Sequence, residues 1–241
     1  MHDVTGRDET LDAICAQNLR LVQKKKGYRF SIDPILLANF VALKTGQRML
    51  DIGTGCGIIP LYMAARGAGN PMLGIEIQEE LYHLAQRNRE LNRPDDVQFL
   101  KGDVRSLRAA TSGLFHVVVS NPPYVKQRMG RSCPTRSRYL ARQESVLDLT
   151  ALLSAAKRLL YSRGRLCLVY PSRRVGEVVF EARARRLEPK RIRFVHPRPG
   201  EPSNLFLLEC VKDGGPEVTV MEPLYVYRGE AYSDEVQSYY V

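Results

Sequence analysis

The chain has 241 residues, 44% of them hydrophobic, which suits one larger α/β domain, and no apolar run nears the roughly 20 residues of a membrane span. Its 36 Lys and Arg against 26 Asp and Glu leave a net charge of +10, which fits either an ordinary basic surface or a polyanionic partner, since Arg pairs with phosphate bidentately and stacks on bases. Cys15, Cys56, Cys133, Cys167 and Cys210 form no CxxC pair, and the opening MHDVTGRDETLDAICAQNL lacks a basic stretch followed by an apolar one, so zinc, a disulfide framework and a secretory signal are not expected and a reducing cytoplasm is.

In chain order, FSIDPILLANFVAL (30–43) reads as a helix with Asp33 as N-cap and Pro34 at its first position. Strands and helices then alternate. QRMLDI (47–52) is a strand, IIPLYMAARG (58–67) a helix stopped by glycine, and PMLGIE (71–76) a second strand. The helix over 79–92 places Leu81, Leu84, Ala85 and Leu91 on one stripe. VQFLKGD (97–103) and LFHVVVS (114–120) are strands, and VLDLTALLSAAKRLL (146–160) is an amphipathic helix. RLCLVYP (165–171), a basic helix over 173–187, RIRFVH (191–196) and NLFLLEC (204–210) complete the pattern. The expected fold is α/β and Rossmann-like: a mostly parallel seven-stranded sheet with helices on both faces. The short turn HPRPGEPS implies that one of the last two strands runs antiparallel. Residues 1–45 form an N-terminal arm and helix that contribute to the site, and 46–241 form the main domain.

Ligands in such sheets bind at the carboxyl ends of the strands. The first expected strand ends at Asp51, followed by Gly53, Thr54, Gly55, Cys56 and Gly57, where glycine lets the backbone approach a ligand closely. The pattern GxGxG after an acid differs from the GxGxxG of a pyrophosphate site. Asp51 would repel a pyrophosphate but suits a sulfonium or an α-amino group. Glu76 suits the hydroxyls of a ribose, and Asp103 suits an exocyclic amine. Cys56 has no histidine placed to activate it and reads as a small filler. His2, His83, His116 and His196 show no ligand spacing, so no metal is expected.

The fourth strand stops at Asn121-Pro122-Pro123-Tyr124. Neither proline can donate to a ladder. The side-chain oxygen of Asn121 and the carbonyl of Pro122 form an acceptor pair for a flat amine, and Tyr124 offers a face for a base.

DIGTGCG, GIE, GD and NPPY at these spacings resemble the class I S-adenosylmethionine-dependent methyltransferases of the branch that methylates amino nitrogens. QKKKGYRFSIDPILLANF (23–40) and PLYVYRGEAYSDEVQSYY (223–240) are similar to segments of the bacterial valine-tRNA adenine-N6 methyltransferases. The resemblance implies S-adenosylmethionine as cofactor, held by Asp51, Gly53, Gly55, Gly57, Glu76, Asp103 and Asn121, and Asn121, Pro122 and Tyr124 as the catalytic group. It implies the adenosine next to the anticodon of a tRNA as substrate, with no membrane partner. Tyr28 and Phe30 either fasten the arm to the core or close over the cofactor. Lys24 to Lys26 read as a solvated run or as phosphate contacts. The segment 126–142 carries Lys126, Arg128, Arg131, Arg136, Arg138 and Arg142 and no acid, and reads as a solvated loop or an RNA clamp. A second basic group, Arg173, Arg174, Arg183, Arg185, Arg186, Lys190, Arg191 and Arg193, extends that surface. The alternatives are a release-factor glutamine N-methyltransferase, since NPPY handles either flat amine, and an RNA-binding module without turnover, which the intact Asp51, Asn121 and Tyr124 speak against.

Overall fold

A computed structural model describes residues 6, 8–14, 19–25, 31–122 and 147–241. It opens with an antiparallel hairpin, β1 (Glu9–Ile14) and β2 (Leu19–Lys24). There follow α1 (Asp33–Phe40), β3 (Met49–Ile52), α2 (Ile58–Ala65), β4 (Met72–Glu76), α3 (Glu79–Asn92), β5 (Val97–Lys101), a short α4 (Ala109–Ser112) and β6 (Phe115–Ser120). After the next described residues come α5 (Leu149–Leu159), β7 (Leu160–Pro171), α6 (Val175–Ala184), β8 (Leu187–His196) and β9 (Leu205–Lys212). The C-terminal part holds the two-residue strands β10 (Thr219–Val220), β11 (Leu224–Tyr225), β12 (Tyr227–Arg228) and β13 (Ala231–Tyr232), then α7 (Asp234–Ser238).

The main sheet runs β10-β8-β9-β7-β6-β3-β4-β5, with β11 also on β8. The seven long strands are the expected ones. The sheet counts nine because β10 and β11 each add two residues, parallel, to β8 at its edge. β9 is the antiparallel member, against both β7 and β8, as the short turn after residue 196 requires.

Strand residues alternate between two cores. Met49, Val117, Val119, Cys167 and Val169 join α1, α2, α3 and the hairpin on one face. Leu50, Val118, Leu166 and Leu168 join α5 and α6 on the other. Side chains two apart share a face of a strand, so a sheet covered on both sides reads as a continuous apolar run. No helix among the described residues is long and apolar enough to cross a membrane.

Three helices differ from expectation in their bounds; the basic one, α6, runs Val175–Ala184 rather than 173–187, and Leu187 already opens β8. Asp33 is the first residue of α1 and not its cap: Ile32 holds that place, and its carbonyl accepts from the N–H groups of Ile35 and Leu36 at 2.9 and 3.0 Å. The Asp33 carboxyl engages Ser31, while burial holds its pKa above the usual carboxylate value. α5 begins at Leu149 and not at residue 146, because the Asp148 carboxylate accepts the Ala151 N–H at 2.6 Å and so caps the helix there.

Glu209, 6% exposed on β9, lies between Arg165 on β7 and Arg191 on β8. Arg191 donates to both of its oxygens at 3.0 Å, and Arg165 approaches at 3.3 Å. Each arginine also donates to the chain at the end of α1: Arg191 to the carbonyl of its last residue, Phe40, at 3.1 Å with its guanidinium over the Phe40 ring, and Arg165 to the Ala42 carbonyl just beyond. Burial opposes the Glu209 charge, but the hydrogen bonds and attraction of the two arginines hold its pKa below the usual range. A depressed carboxyl stabilises the fold above its unfolded pKa and ceases to do so as pH falls through its folded one. Glu209→Ala leaves two partly buried guanidinium groups without their partner. It should cost about 3 kcal/mol in urea unfolding at pH 7, with the difference from the parent shrinking in acid.

Candidate active site

The chain runs outward from β3 to β4 and β5, then returns to place β6 on the other side of β3. That reversal opens a crevice at the carboxyl edge between β3 and β6. Register sets what meets there: Asp51 lies opposite Gly74 on β4 and Val119 on β6, and Glu76 opposite Lys101 on β5. The Ser120 hydroxyl donates to the Ile52 carbonyl at 2.8 Å, tying the end of β6 to that of β3 just before Asn121 and Gly53.

The glycine loop turns tightly around this end. The N–H groups of Gly53 and Thr54 both donate to the Ile75 carbonyl, at 2.9 and 3.1 Å, and Gly57 N–H donates to Thr54 O at 2.9 Å. Gly53, Gly55 and Gly57 all have positive φ. At Gly57 (φ 85°) a Cβ would lie 2.5 Å from Phe99 Cζ, so both conformation and space demand glycine. Glu76, 4% exposed, holds the loop with one oxygen on Gly55 N–H at 2.9 Å, and its other oxygen takes Gln78 N–H at 2.9 Å. Each carboxylate oxygen keeps a further lone pair for a hydroxyl.

Asp51 is 1% exposed. Its Oδ2 accepts the Thr54 hydroxyl at 2.7 Å, whereas Oδ1 is buried with no partner among the described residues. Burial, and after it the nearby Glu76 charge, raise its pKa to about 7 against the opposing Thr54 hydrogen bond. A buried acceptor without a donor is costly, so a cationic N–H donor belongs beside Oδ1. The α-ammonium of S-adenosylmethionine is such a donor, and the glycine loop supplies close backbone approach. The residues present therefore fit that cofactor, with Asp51 for the amino group and Glu76 for the ribose.

The other expected residues divide. Asp103 reaches the same edge, but its carboxylate is held by Arg105, through the backbone N–H at 2.8 Å and Nε at 2.7 Å, which keeps its pKa below the usual range. An incoming amine would share that carboxylate with Arg105. Asn121 is partly buried and Pro122 buried, next to the β3 end. Tyr28, Phe30, Tyr124, Lys126, Arg128, Arg131, Arg136 and Arg138 lie outside the described residues. Cys56 is buried with its thiol pushed up to about 12 by desolvation, in keeping with a filler. No three His, Cys, Asp or Glu side chains gather as a metal cage among the described residues.

In the second basic group, six of the eight cations form ion pairs. Arg174 pairs with Glu177, Arg183 with Glu188, Arg185 with Glu181, Arg186 with Asp213, Arg191 with Glu209 and Arg193 with Glu235. Each of these six charges has an acid beside it, while Lys190 donates to the Pro216 and Glu217 carbonyls.

Sequence reasoning missed Thr54, which orients Asp51, and Gly74, where a Cβ would come within 2.6 Å of Thr54 Oγ1 and the Phe99 ring. It also missed Asn88, wholly buried under the glycine loop. An asparagine on the apolar stripe of a helix was the available signal for the last.

A raised Asp51 pKa makes cation binding pH-dependent. The ligand favours the carboxylate and lowers its pKa, so affinity is full above pH 7 and falls below it, approaching about tenfold per pH unit. Calorimetric affinity for S-adenosylmethionine, as the ratio of parent to Asp51→Asn, should therefore decline from pH 8 to pH 6. A flat ratio would show that Asp51 does not meet the cation.

The profile of the methyltransferase small domain family matches residues 33–188. The chain is 31% identical over 188 residues to a tRNA1(Val) (adenine(37)-N6)-methyltransferase of Tolumonas auensis, covering 77% of each chain. It is 30% identical over 186 residues to the enzyme of the same name from Parabacteroides distasonis, again over 77% of each. A crystal structure of a predicted O-methyltransferase from Agrobacterium tumefaciens superposes with a TM-score of 0.69 at 26% identity, over 86% of this chain and 94% of that one. The chain belongs to the methyltransferase small domain family, with the class I S-adenosylmethionine-dependent methyltransferase fold.

Proposed function

We propose that the chain methylates the exocyclic N6 of an adenosine in tRNA, at position 37 of tRNA1(Val), with S-adenosylmethionine as methyl donor. The observation that carries this reading is the Asn121-Pro122 pair, set at the end of β6 beside the glycine loop, in a chain about 30% identical to two enzymes named for that reaction.

The bound cofactor supplies a methyl group already activated on a sulfonium, so the chain has to place a poor nucleophile. The lone pair of an adenine amine is conjugated into its ring. The Asn121 side-chain oxygen and the Pro122 carbonyl accept its two hydrogens, which favours a pyramidal nitrogen with its lone pair aimed at the methyl group. As nitrogen gains positive charge the same oxygens stabilise it, and proline stiffness places them beforehand. One amine proton leaves to solvent after transfer. Tyr124 supplies a stacking face for the extruded base. Lys126, Arg128, Arg131, Arg136 and Arg138 engage anticodon-arm phosphates.

Labelled cofactor incubated with bulk tRNA, followed by digestion to nucleosides, should give N6-methyladenosine. Label confined to protein would favour a glutamine substrate instead, and no transfer at all would leave only a binding module. Asn121→Ala should lower turnover on the order of 100-fold while calorimetry finds cofactor affinity nearly unchanged.

Removing one arginine that neutralises a phosphate should flatten the log–log salt dependence of tRNA binding by about 0.7 to 0.9. Replacing Arg128, Arg131 and Arg136 with Ala should therefore reduce the slope and leave cofactor affinity intact. An unchanged slope would place the phosphate-binding surface elsewhere.

A further inference from the structure

The N-terminal hairpin meets the rest of the molecule through a helix that stands in for a strand. On β2, Arg20 N–H donates to Asn92 Oδ1 at 2.9 Å, and Asn92 Nδ2 returns a bond to Arg20 O at 2.7 Å. Two residues along, Val22 N–H donates to Asn88 Oδ1 at 2.7 Å, and Asn88 Nδ2 donates to Val22 O at 3.2 Å. Each carboxamide turns its oxygen and one N–H toward β2, as a neighbouring strand residue would. Four residues of helix advance about 6 Å and two of strand about 7 Å, so asparagines at i and i+4 match alternate residues of β2. Ion pairs reinforce the seam: Arg87 with Glu9 at 2.8 Å and Lys24 with Glu80 at 2.8 Å.

The two asparagines differ in where the second N–H goes: Asn92 Nδ2 donates within the helix to the Asn88 carbonyl at 2.7 Å, whereas Asn88, wholly buried, donates to the Cys56 carbonyl at 3.0 Å. Cys56 sits between Gly55, whose N–H is held by Glu76, and Gly57. The glycine loop is thus gripped from the cofactor side by Glu76 and from behind by the carboxamide that also grips the hairpin.

We infer that Asn88 is a positioning residue that links hairpin docking to the shape of the glycine loop, so that the hairpin and the cofactor bind cooperatively. This rests on the methyltransferase reading of the site. Coupling is reciprocal: whatever the docked hairpin adds to cofactor affinity, the cofactor returns as resistance of the hairpin to opening.

Amide hydrogen exchange of the full chain, with and without S-adenosylhomocysteine, tests this once calorimetry has shown that the probe binds. At a probe concentration about 100-fold above its Kd, exchange at Arg20 and Val22 should slow by at least about tenfold, with a ceiling near 100-fold if opening abolishes binding. Asn92→Ala should speed exchange of the hairpin without the probe but retain the slowing at Val22. Asn88→Ala should lose the slowing at Arg20, and its probe affinity should fall. Should Asn88→Ala fail to fold, the parent and Asn92→Ala still decide. Binding without slowing in either of these, or slowing that survives in Asn88→Ala, overturns the inference. Absence of any probe binding would overturn the cofactor reading and this inference with it.

Discussion

The site depends on a carboxylate kept dry. Asp51 is buried at the end of a central strand, one oxygen on Thr54 and the other without a partner among the described residues. Left alone, such a group gives up its charge, which is the sense of a pKa near 7. A cation placed beside it restores the charge and satisfies the orphan oxygen together. The surrounding geometry follows from that need: glycines at 53, 55 and 57 make the tight turn, Gly74 leaves room for Thr54, and Glu76 holds the turn open by accepting Gly55 N–H.

The transfer step makes a different demand and is met by a different strand. β6 ends where Ser120 is pinned to β3, so the Asn121-Pro122 acceptors start from a fixed point beside the cofactor loop. In the proposed reaction one strand end binds and its neighbour aligns.

Much of this was legible in the sequence, for local reasons. A strand, an acid, spaced glycines and a helix in succession identify a carboxyl-edge site because spacing and backbone conformation are local properties. The alternation of strands and helices likewise carried the sheet, and the short turn after residue 196 showed that one of the last two strands runs antiparallel. What was not legible depends on distant partners. The β1–β2 hairpin shows no clean alternation, because Leu21, Val22 and Gln23 are all buried, the last with a polar side chain. Strands β10 to β13 have two residues each, too short for any period to show. Arg191 and Arg193 read as free basic charge until the fold brings up Glu209 and Glu235, 18 and 42 residues away. Asp33 looked like a cap, yet its carboxyl turned to Ser31.

The central claim is that Asp51 waits in a half-neutral state for a cation. Carboxyl-carbon NMR of the labelled protein measures this directly, with Asp51→Asn assigning the signal. The ligand-free protein should show a titration near pH 7 that moves well below that value when S-adenosylhomocysteine, which keeps the amino group, is bound. A ligand-free titration at an ordinary aspartate pKa, or one that the ligand leaves in place, would contradict the account.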